Sequence, residues 1–391
     1  MIEQTPDDME ITDYELYLVP PRWVFLKLVT EDGTEGWGEP IIENHAQTTM
    51  SAVREILDNY LVGQDATEIE RHWQAMYRAR HVRGGPILMS AIAGIDQALW
   101  DIKGKQYDAP VYELLGGRAR DRIPVYQWVG GDTPEEVAAA AQIAVDHGYR
   151  ALKMAAVSSL RRLDSPSTIM EAKRRVGAVR DVIGEDIDLG VDFRGRVSKA
   201  MVRWLAAELD EYGAMFYEEP VLPDNIELLS EVRPHTRTPL ASGERLYSRW
   251  DFEEILSEGL VDVIQPNPSH AGGISEVRKI AAHAETQDVA LVPHCPVGPI
   301  ALAACVQLDT VIPNAILQAQ YHEIHAPENN EHLAYLKDQD VFQYSDGFIR
   351  PPDAPGLGIE IDEEYVTNRQ EPTLDWENPV WYHNDGSVAE W

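Results

Sequence analysis

Apolar and polar positions alternate through residues 13–30, around Tyr17, Val19, Val24, Leu26 and Leu28, the period of a half-buried strand. The turn residues Glu31-Asp32-Gly33 follow, and Gly36-Trp37-Gly38 closes the predicted hairpin. Beyond it the period becomes helical. One helix is expected over about Thr48–Tyr60. Another, Pro86–Lys105, carries Ile87, Leu88, Met89, Ile92, Ile95, Leu99 and Trp100 nearly all round, which marks it as buried. These elements compose an α+β capping domain over residues 1–120.

From about Ile123 the pattern repeats as strand then helix. Strands are expected at 124–128, 149–153, 187–191, 214–218, 239–243, 261–265, 289–293 and 314–318. The helices between them have readable ends: Thr133 as N-cap, Pro134 in the first turn, Glu136 completing a capping box and Gly148 as the stop. The helix near 167–183 places Ile169, Ala172, Val176, Val179 and Ile183 at three-four spacing. Eight short apolar strands alternating with helices point to an α/β barrel over residues 121–350, with a doubly wound sheet as the alternative. The turn-rich segment 351–391, with Trp376, Trp381 and Trp391, is expected to pack back on the cap.

Charge narrows the possible partners. The chain of 391 residues holds 66 Asp and Glu against 33 Lys and Arg, a formal net charge of −33. That field repels phosphate backbones and anionic lipid, so neither nucleic acid nor a membrane surface is an expected partner. Eight of the basic residues are lysine, leaving 33 − 8 = 25 arginines. A haloadapted surface fits, because in molar salt the Debye length is about 3 Å and repulsion among carboxylates is screened; an acidic protein of ordinary habitat is the alternative. On either reading a lysine inside the fold needs a reason. No apolar run approaches the ~18 residues of a membrane span, and Met1–Glu10 lacks a signal-peptide apolar core. Two cysteines, Cys295 and Cys305, allow no disulfide framework and suit a reducing cytoplasm. Cys295 beside His294 reads as a small buried residue rather than a nucleophile.

In barrels the working residues sit at the C-terminal ends of strands. Those positions are Lys153, Asp192, Glu218, Glu244, Asn267 and His294. The intervals from Asp192 to Glu218 and from Glu218 to Glu244 are both 26 residues, so three carboxylates fall on three successive strands and should converge. Three like charges in one mouth require a cation, and an all-oxygen set favours Mg²⁺ with positions open to substrate. Period-2 alternation points Asp192 and Arg194 the same way and sets Glu218 against Glu219, the equal spacing selecting Glu218 as ligand. His294, two strands beyond Glu244, is placed as a general base.

These residues resemble the mandelate racemase subgroup of the enolase superfamily, most of all its galactonate dehydratases. The resemblance rests on Asp192, Glu218-Glu219-Pro220, Gly243-Glu244-Arg245 and His294. It extends to Gly36-Trp37-Gly38-Glu39-Pro40, Arg83-Gly84-Gly85-Pro86 through Lys105, Ser269-His270-Ala271-Gly272-Gly273, Pro293-His294-Cys295-Pro296, Pro355-Gly356-Leu357-Gly358 and Ser387-Val388-Ala389-Glu390-Trp391. It implies a modified (β/α)7β TIM-like barrel with an α+β cap, a homo-oligomer, and Mg²⁺-assisted β-elimination from a small-molecule sugar acid through an enediolate to a 2-keto-3-deoxy acid. It further implies Asp192, Glu218 and Glu244 as metal ligands, His294 as base, Lys153 as enediolate stabiliser, and Asn44, His45 and Glu244 against substrate, with a plain surface loop as the alternative for Asn44 and His45.

Three positions depart from that pattern. Arg194 stands where the family has its acid His, Asn267 where an Asp supports the base, and Ala319 where a Glu stabilises the intermediate. An arginine keeps its proton at neutral pH, so the general acid, a contribution of about 10²–10⁴ in rate, has no evident donor. The amide oxygen of Asn267 is expected to orient the imidazole without supporting its cation. Each change makes the pocket about one charge more positive, which suggests an aldarate whose second carboxylate Arg194 clamps, or else an Arg194 merely paired with Glu218 or Glu219 in an impaired site. A sugar-acid racemase or epimerase, with Lys153 opposite His294 although Ala155 replaces a second lysine, and a non-catalytic homologue are the other readings. His270 is expected to cap or pack.

Overall fold

A computed structural model describes residues 9–158, 160–325, 331–374 and 376–390. The alternating N-terminal stretch forms an antiparallel sheet of β1 (Ile11–Val19), β2 (Trp23–Thr30) and β3 (Glu35–Gly38) in that order. β2 is buried on both faces. Leu26 and Leu28 enter the helix layer, while Trp23 and Phe25 meet the ring of Tyr335 at 5.7 and 5.3 Å. Helices α1 (Ala46–Ile56), α2 (Ile69–Arg78), α3 (Pro86–Gln106) and α4 (Val111–Leu115) complete the cap. The expected helix to Tyr60 ends its α-helical part at Ile56 and continues as one wider turn over Leu57–Leu61. α3 lies directly on β3, and a Cβ on Gly38 would collide with the carbonyl of Gly94, so glycine is required for this layer spacing.

The first expected barrel strand is split. β4 (Ile123–Pro124) pairs with a distant two-residue strand, and β5 (Gln127–Val129) starts the barrel, Pro124 having no N–H to continue a ladder. Then follow α5 (Pro134–Asp146), β6 (Ala151–Ala155), α6 (Pro166–Ile183), β7 (Asp188–Asp192), α7 (Lys199–Leu209), β8 (Phe216–Glu218), α8 (Leu229–Val232), β9 (Leu240–Ser242), α9 (Arg249–Ser257), β10 (Val263–Ile264), α10 (Gly273–Glu285), β11 (Ala290–Leu291) and α11 (Pro299–Val311). The Thr133–Glu136 capping box is formed on both sides. β5 to β11 make a seven-stranded parallel sheet in chain order. The eighth expected strand, 314–318, is reduced to two bridges, Leu291 to Ala315 and Val125 to Gln318, which join the sheet's two edges. Past it the pairing is irregular, because the Gln318 side-chain amide and the Ala319 N–H both donate to the carbonyl of Pro293, at 3.0 and 3.3 Å.

The barrel interior is filled by Tyr126, Ala151, Phe216, Ala241, Val263, Val292, Leu317 and Ala319. A Cβ on Gly190 would stand 2.8 Å from the Phe216 ring, so the glycine in β7 makes room for this aromatic. Cap and barrel are tied by polar bonds as well as by apolar packing. Trp73 Nε1 donates to Gly272 O at 2.7 Å, and Ser275 N and Oγ donate to Asp96 at 3.0 and 2.6 Å. Glu39 takes the first N–H groups of α11, from Gly298 and Ala301.

After β12 (Phe348–Ile349) and α12 (Glu363–Arg369) the C-terminal segment touches both layers. Glu371 N donates to Leu18 O at 2.8 Å, and Arg22 lies 4.2 Å over Trp376. Trp381, expected on the cap, lies with its ring 4.6 Å under the Arg196 guanidinium at the barrel mouth, a cation–π contact. Trp391 lies outside the described residues. Cys295 and Cys305 are free and buried. Among the described residues no helix is long and apolar enough to cross a membrane.

Candidate active site at the barrel mouth

Parallel register delivers the first site residues. Asp192 closes β7 directly opposite Glu218, which closes β8, and Lys153 in β6 faces Gly190. Glu218 is fully buried; its Oε1 accepts from Lys153 Nζ at 2.5 Å and its Oε2 from Gln265 Nε2 at 2.7 Å. Glu219 leaves the strand with φ 44° and turns to other partners, Ser242 Oγ at 2.6 Å and Gly243 N at 3.1 Å. Glu244 lies between Arg245 (3.5 Å) and His294 Nε2 (3.1 Å). Lys153 thus holds Glu218, and His294 meets Glu244.

The support of His294 differs from expectation. Asn267 Oδ1 accepts from Ser269 N at 2.8 Å, so its amide nitrogen, not its oxygen, faces His294 Nδ1 at 3.4 Å. A donor there favours the neutral tautomer with its proton on Nε2, directed at Glu244. The Asp of the family pattern would favour the opposite tautomer. Burial pushes His294 down to about 4, against the pull of Glu244, so the ring is neutral near pH 7.

Electrostatically the mouth is crowded with negative charge. Burial raises Asp192, and Glu244 raises it further against Lys153 and Arg194. Glu218 is pushed up to about 8 by burial, with Lys153 opposing and both Asp192 and Glu244 reinforcing. Burial also raises Glu219 to about 7, with Glu244 adding to it. Lys153 is held protonated: Glu218 and its neighbours outweigh the burial that would lower it. With every group ionised, four carboxylates (Asp192, Glu218, Glu219, Glu244) would face three permanent cations (Lys153, Arg194, Arg245), a balance of 3 − 4 = −1, and the raised Glu218 and Glu219 take up protons against part of that charge near pH 7. Among the described residues no three His, Cys, Asp or Glu side chains are gathered as a ready metal group; each carboxylate is turned onto a cation or an amide of the protein.

Arg194 lies beyond the end of β7, with φ 53°, and its N–H donates to Asp192 Oδ1 at 2.7 Å. A turn therefore sets its direction, and strand alternation does not reach it. Its guanidinium pairs with Asp192 at 3.4 Å, not with Glu218 or Glu219 as one expectation had it, and lies 4.5 Å over the Trp128 ring. The fixed left-handed turn brings Asp192 within reach and leaves the other two carboxylates to Lys153, Gln265 and Ser242. Arg194 borders a cavity of about 460 Å³ beside the mouth.

The cap loop is arranged differently from expectation. Asn44 Oδ1 accepts from Asn378 N at 2.7 Å, and Asn44 and His45 line a small separate cavity of about 70 Å³ with Trp376. Asn44 is thus tied to the C-terminal segment, and His45 borders the same cavity. Their neighbour Glu43 reaches the barrel instead, 3.6 Å from His270 Nε2, and both lie close enough to act electrostatically on His294. Sequence reading missed this pair and Gln265. The signal for Gln265 was its place at the end of an expected strand; for Glu43 there was none, because only the fold brings the loop to the barrel. Ala319 lies in the interior layer.

Residues 19–116 match the family described as mandelate racemase / muconate lactonizing enzyme, N-terminal domain, and residues 136–365 match enolase C-terminal domain-like. D-galactonate dehydratase of Ralstonia pickettii (strain 12J) is 50% identical over 383 residues, covering 98% of this chain and 100% of the relative. The enzyme of the same name from Cronobacter sakazakii is 49% identical over the same shares. Among solved structures, a mandelate racemase/muconate lactonizing enzyme from Jannaschia sp. CCS1 aligns with a TM-score of 0.85 at 30% identity, over 93% of this chain and 98% of that one. A member of the enolase superfamily from Salmonella Typhimurium gives the same four values.

Proposed function

The chain belongs to the mandelate racemase/muconate lactonizing enzyme family of the enolase superfamily, and from that premise we propose that it is a Mg²⁺-dependent hydro-lyase that dehydrates a sugar acid to a 2-keto-3-deoxy acid. The observation that carries the reading is the meeting of buried Asp192 and Glu218 and half-buried Glu244 at strand ends, with Lys153 on Glu218 and His294 on Glu244. The donors suit a hard divalent cation: they are all oxygen, neighbouring carboxylates raise the affinity of Asp192 and Glu218 for protons, and when ionised the carboxylates of the mouth outnumber its cations by one. A dication and a substrate carboxylate bring +2 and −1 and close that balance.

Asp192, Glu218 and Glu244 would hold the ion. Bound there, Mg²⁺ would supply a fixed positive charge for the carboxylate that gains charge as its α-proton leaves. Lys153, protonated and dry, adds a second positive charge to the same oxygens. His294 is neutral and serves as the base through Nε2 whenever its proton lies on Nδ1. Asn267 works against that tautomer, and turnover is slower for it. Arg194 donates hydrogen bonds without releasing a proton.

Epimerisation is disfavoured, because Lys153 is locked as a cation by Glu218 and cannot take a proton from the second face. The Asn267 contact with His294 favours a second reading, a homologue that binds sugar acids without turnover. Proton NMR in D₂O with Mg²⁺ and galactonate separates the three. A 3-deoxy-2-keto product supports dehydration; deuterium entering Cα without dehydration would establish epimerase chemistry, and line broadening alone a binder.

A further inference from the structure

Of the three carboxylates proposed to hold the ion, Asp192 is met by the N–H and guanidinium of Arg194, and Glu244 by Arg245 and His294. Glu218 is held otherwise. Its Oε1 accepts from Lys153 Nζ, and its Oε2 accepts from the side-chain amide of Gln265 at 2.7 Å. Both partners of that second bond are out of solvent, Gln265 being 1% exposed and Glu218 0%. Gln265 follows β10 directly, and its backbone N–H donates to Ser242 O at 3.0 Å, so sheet pairing sets where its side chain begins. The Ser242 hydroxyl, at the same strand end, donates to Glu219 Oε1 at 2.6 Å. Gln265 and Ser242 therefore take one each of the two neighbouring glutamates and keep them apart.

The terminal torsion of a glutamate is broad and roughly two-fold, so a donor on one oxygen leaves the carboxylate plane free to turn. A donor on the other oxygen fixes the plane. Lysine brings rotating N–H groups on a flexible stem, whereas an amide brings a planar NH₂, and the direction of the remaining lone pairs on Glu218 is set by the amide. Charge accounts for the residue type. A second cation at Oε2 would repel an arriving dication, while a neutral amide orients the oxygen without competing for it. We propose that Gln265 is a positioning residue that presets the plane of Glu218 for the ion. The proposal rests on the reading of Asp192, Glu218 and Glu244 as Mg²⁺ ligands and adds a neutral outer partner to that set.

The test is calorimetric titration of the full chain with MgCl₂, without any sugar acid, for the parent and for Gln265→Met, which keeps the length of the side chain and removes its N–H. Mg²⁺ should bind the variant about 10- to 100-fold more weakly, the range for loss of an outer hydrogen bond to a ligand, and the rise in melting temperature that Mg²⁺ produces should shrink with it. Gln307→Met is the control. Gln307 is equally buried, and it accepts from Tyr112 N at 2.8 Å and donates to Leu357 O at 2.9 Å. Its loss should lower the melting temperature in EDTA and leave Mg²⁺ affinity within about twofold. Gln265→Asn, whose amide is one methylene too short to reach Glu218, should match Gln265→Met and replaces it if the methionine variant does not fold. Unchanged Mg²⁺ affinity in the Gln265 variants overturns the positioning role and leaves the hydro-lyase reading intact. An equal fall in Gln307→Met also overturns it, since any lost buried amide would then act alike. A parent that binds no Mg²⁺ overturns the metal reading and this proposal together.

Discussion

Two lysines are sunk in this acidic chain, and the company each keeps separates a fastener from a working site. Lys27, in β2, is 2.6 Å from Glu15 and hydrogen-bonded to Glu363 of α12, and those carboxylates are 51% and 40% exposed. Water still solvates the negative partners, so the cation is matched and the contact joins the C-terminal helix to the cap sheet. Lys153 is just as buried, but its partner Glu218 is wholly dry, and Asp192 and Glu244 stand behind it. Burial of a lysine is therefore not the informative quantity. The unmatched negative charge around it is.

Exchanging each lysine for methionine probes that contrast most strongly. Lys153→Met should lower kcat by at least about 10²–10⁴. Lys27→Met should leave kcat within about twofold and cost about 1–2 kcal/mol of stability, since the stranded carboxylates remain solvated. Steady-state kinetics and denaturant titration read the two effects separately. Next in size is Asn267→Asp, which places an acceptor at His294 Nδ1 and moves the imidazole proton off Nε2. It should raise kcat about 10- to 100-fold; a fall would show that the tautomer is not what limits the base.

A smaller effect concerns stability without metal. Asp192→Asn removes one of the crowded charges, so in EDTA it should stabilise the fold by about 1 kcal/mol, while abolishing stabilisation by Mg²⁺. Molar KCl should raise the melting temperature of the parent by screening the surface field, and leave this difference largely in place, because dry charges are poorly screened. The smallest effect lies at the cap. The hydrogen bond from Lys27 holds Glu15 below its ordinary value of 4.5. A depressed carboxylate stabilises fully above pH 4.5 and loses that contribution as pH falls through its folded value. With Glu15 half exposed, the loss should stay under about 1 kcal/mol, and Lys27→Met should remove it from the acid limb of the stability–pH curve.

The order of strands and helices was legible because each element is written in local periods: the capping box at Thr133, the apolar run in α3, the 26-residue intervals from Asp192 to Glu244. Less legible was whatever depends on distant segments meeting. The last strand shrank to two bridges because its backbone partners are shared with the Gln318 side chain. Asn44 turned to the C-terminal segment, and Glu43 and Trp381 came to the mouth, through contacts between residues hundreds of positions apart in some cases. The direction of the Asn267 amide depended on Ser269 N–H taking its oxygen, a competition that residue type alone does not decide.

The most direct measurement is formation of a 2-keto-3-deoxy acid from a set of sugar acids, with Mg²⁺ and after EDTA treatment, for the parent protein and for Glu244→Gln. Product from at least one sugar acid, dependent on Mg²⁺ and absent in the variant, is the expected result. Undiminished product in EDTA or in Glu244→Gln, or no product from any acid, would contradict dehydration at this mouth.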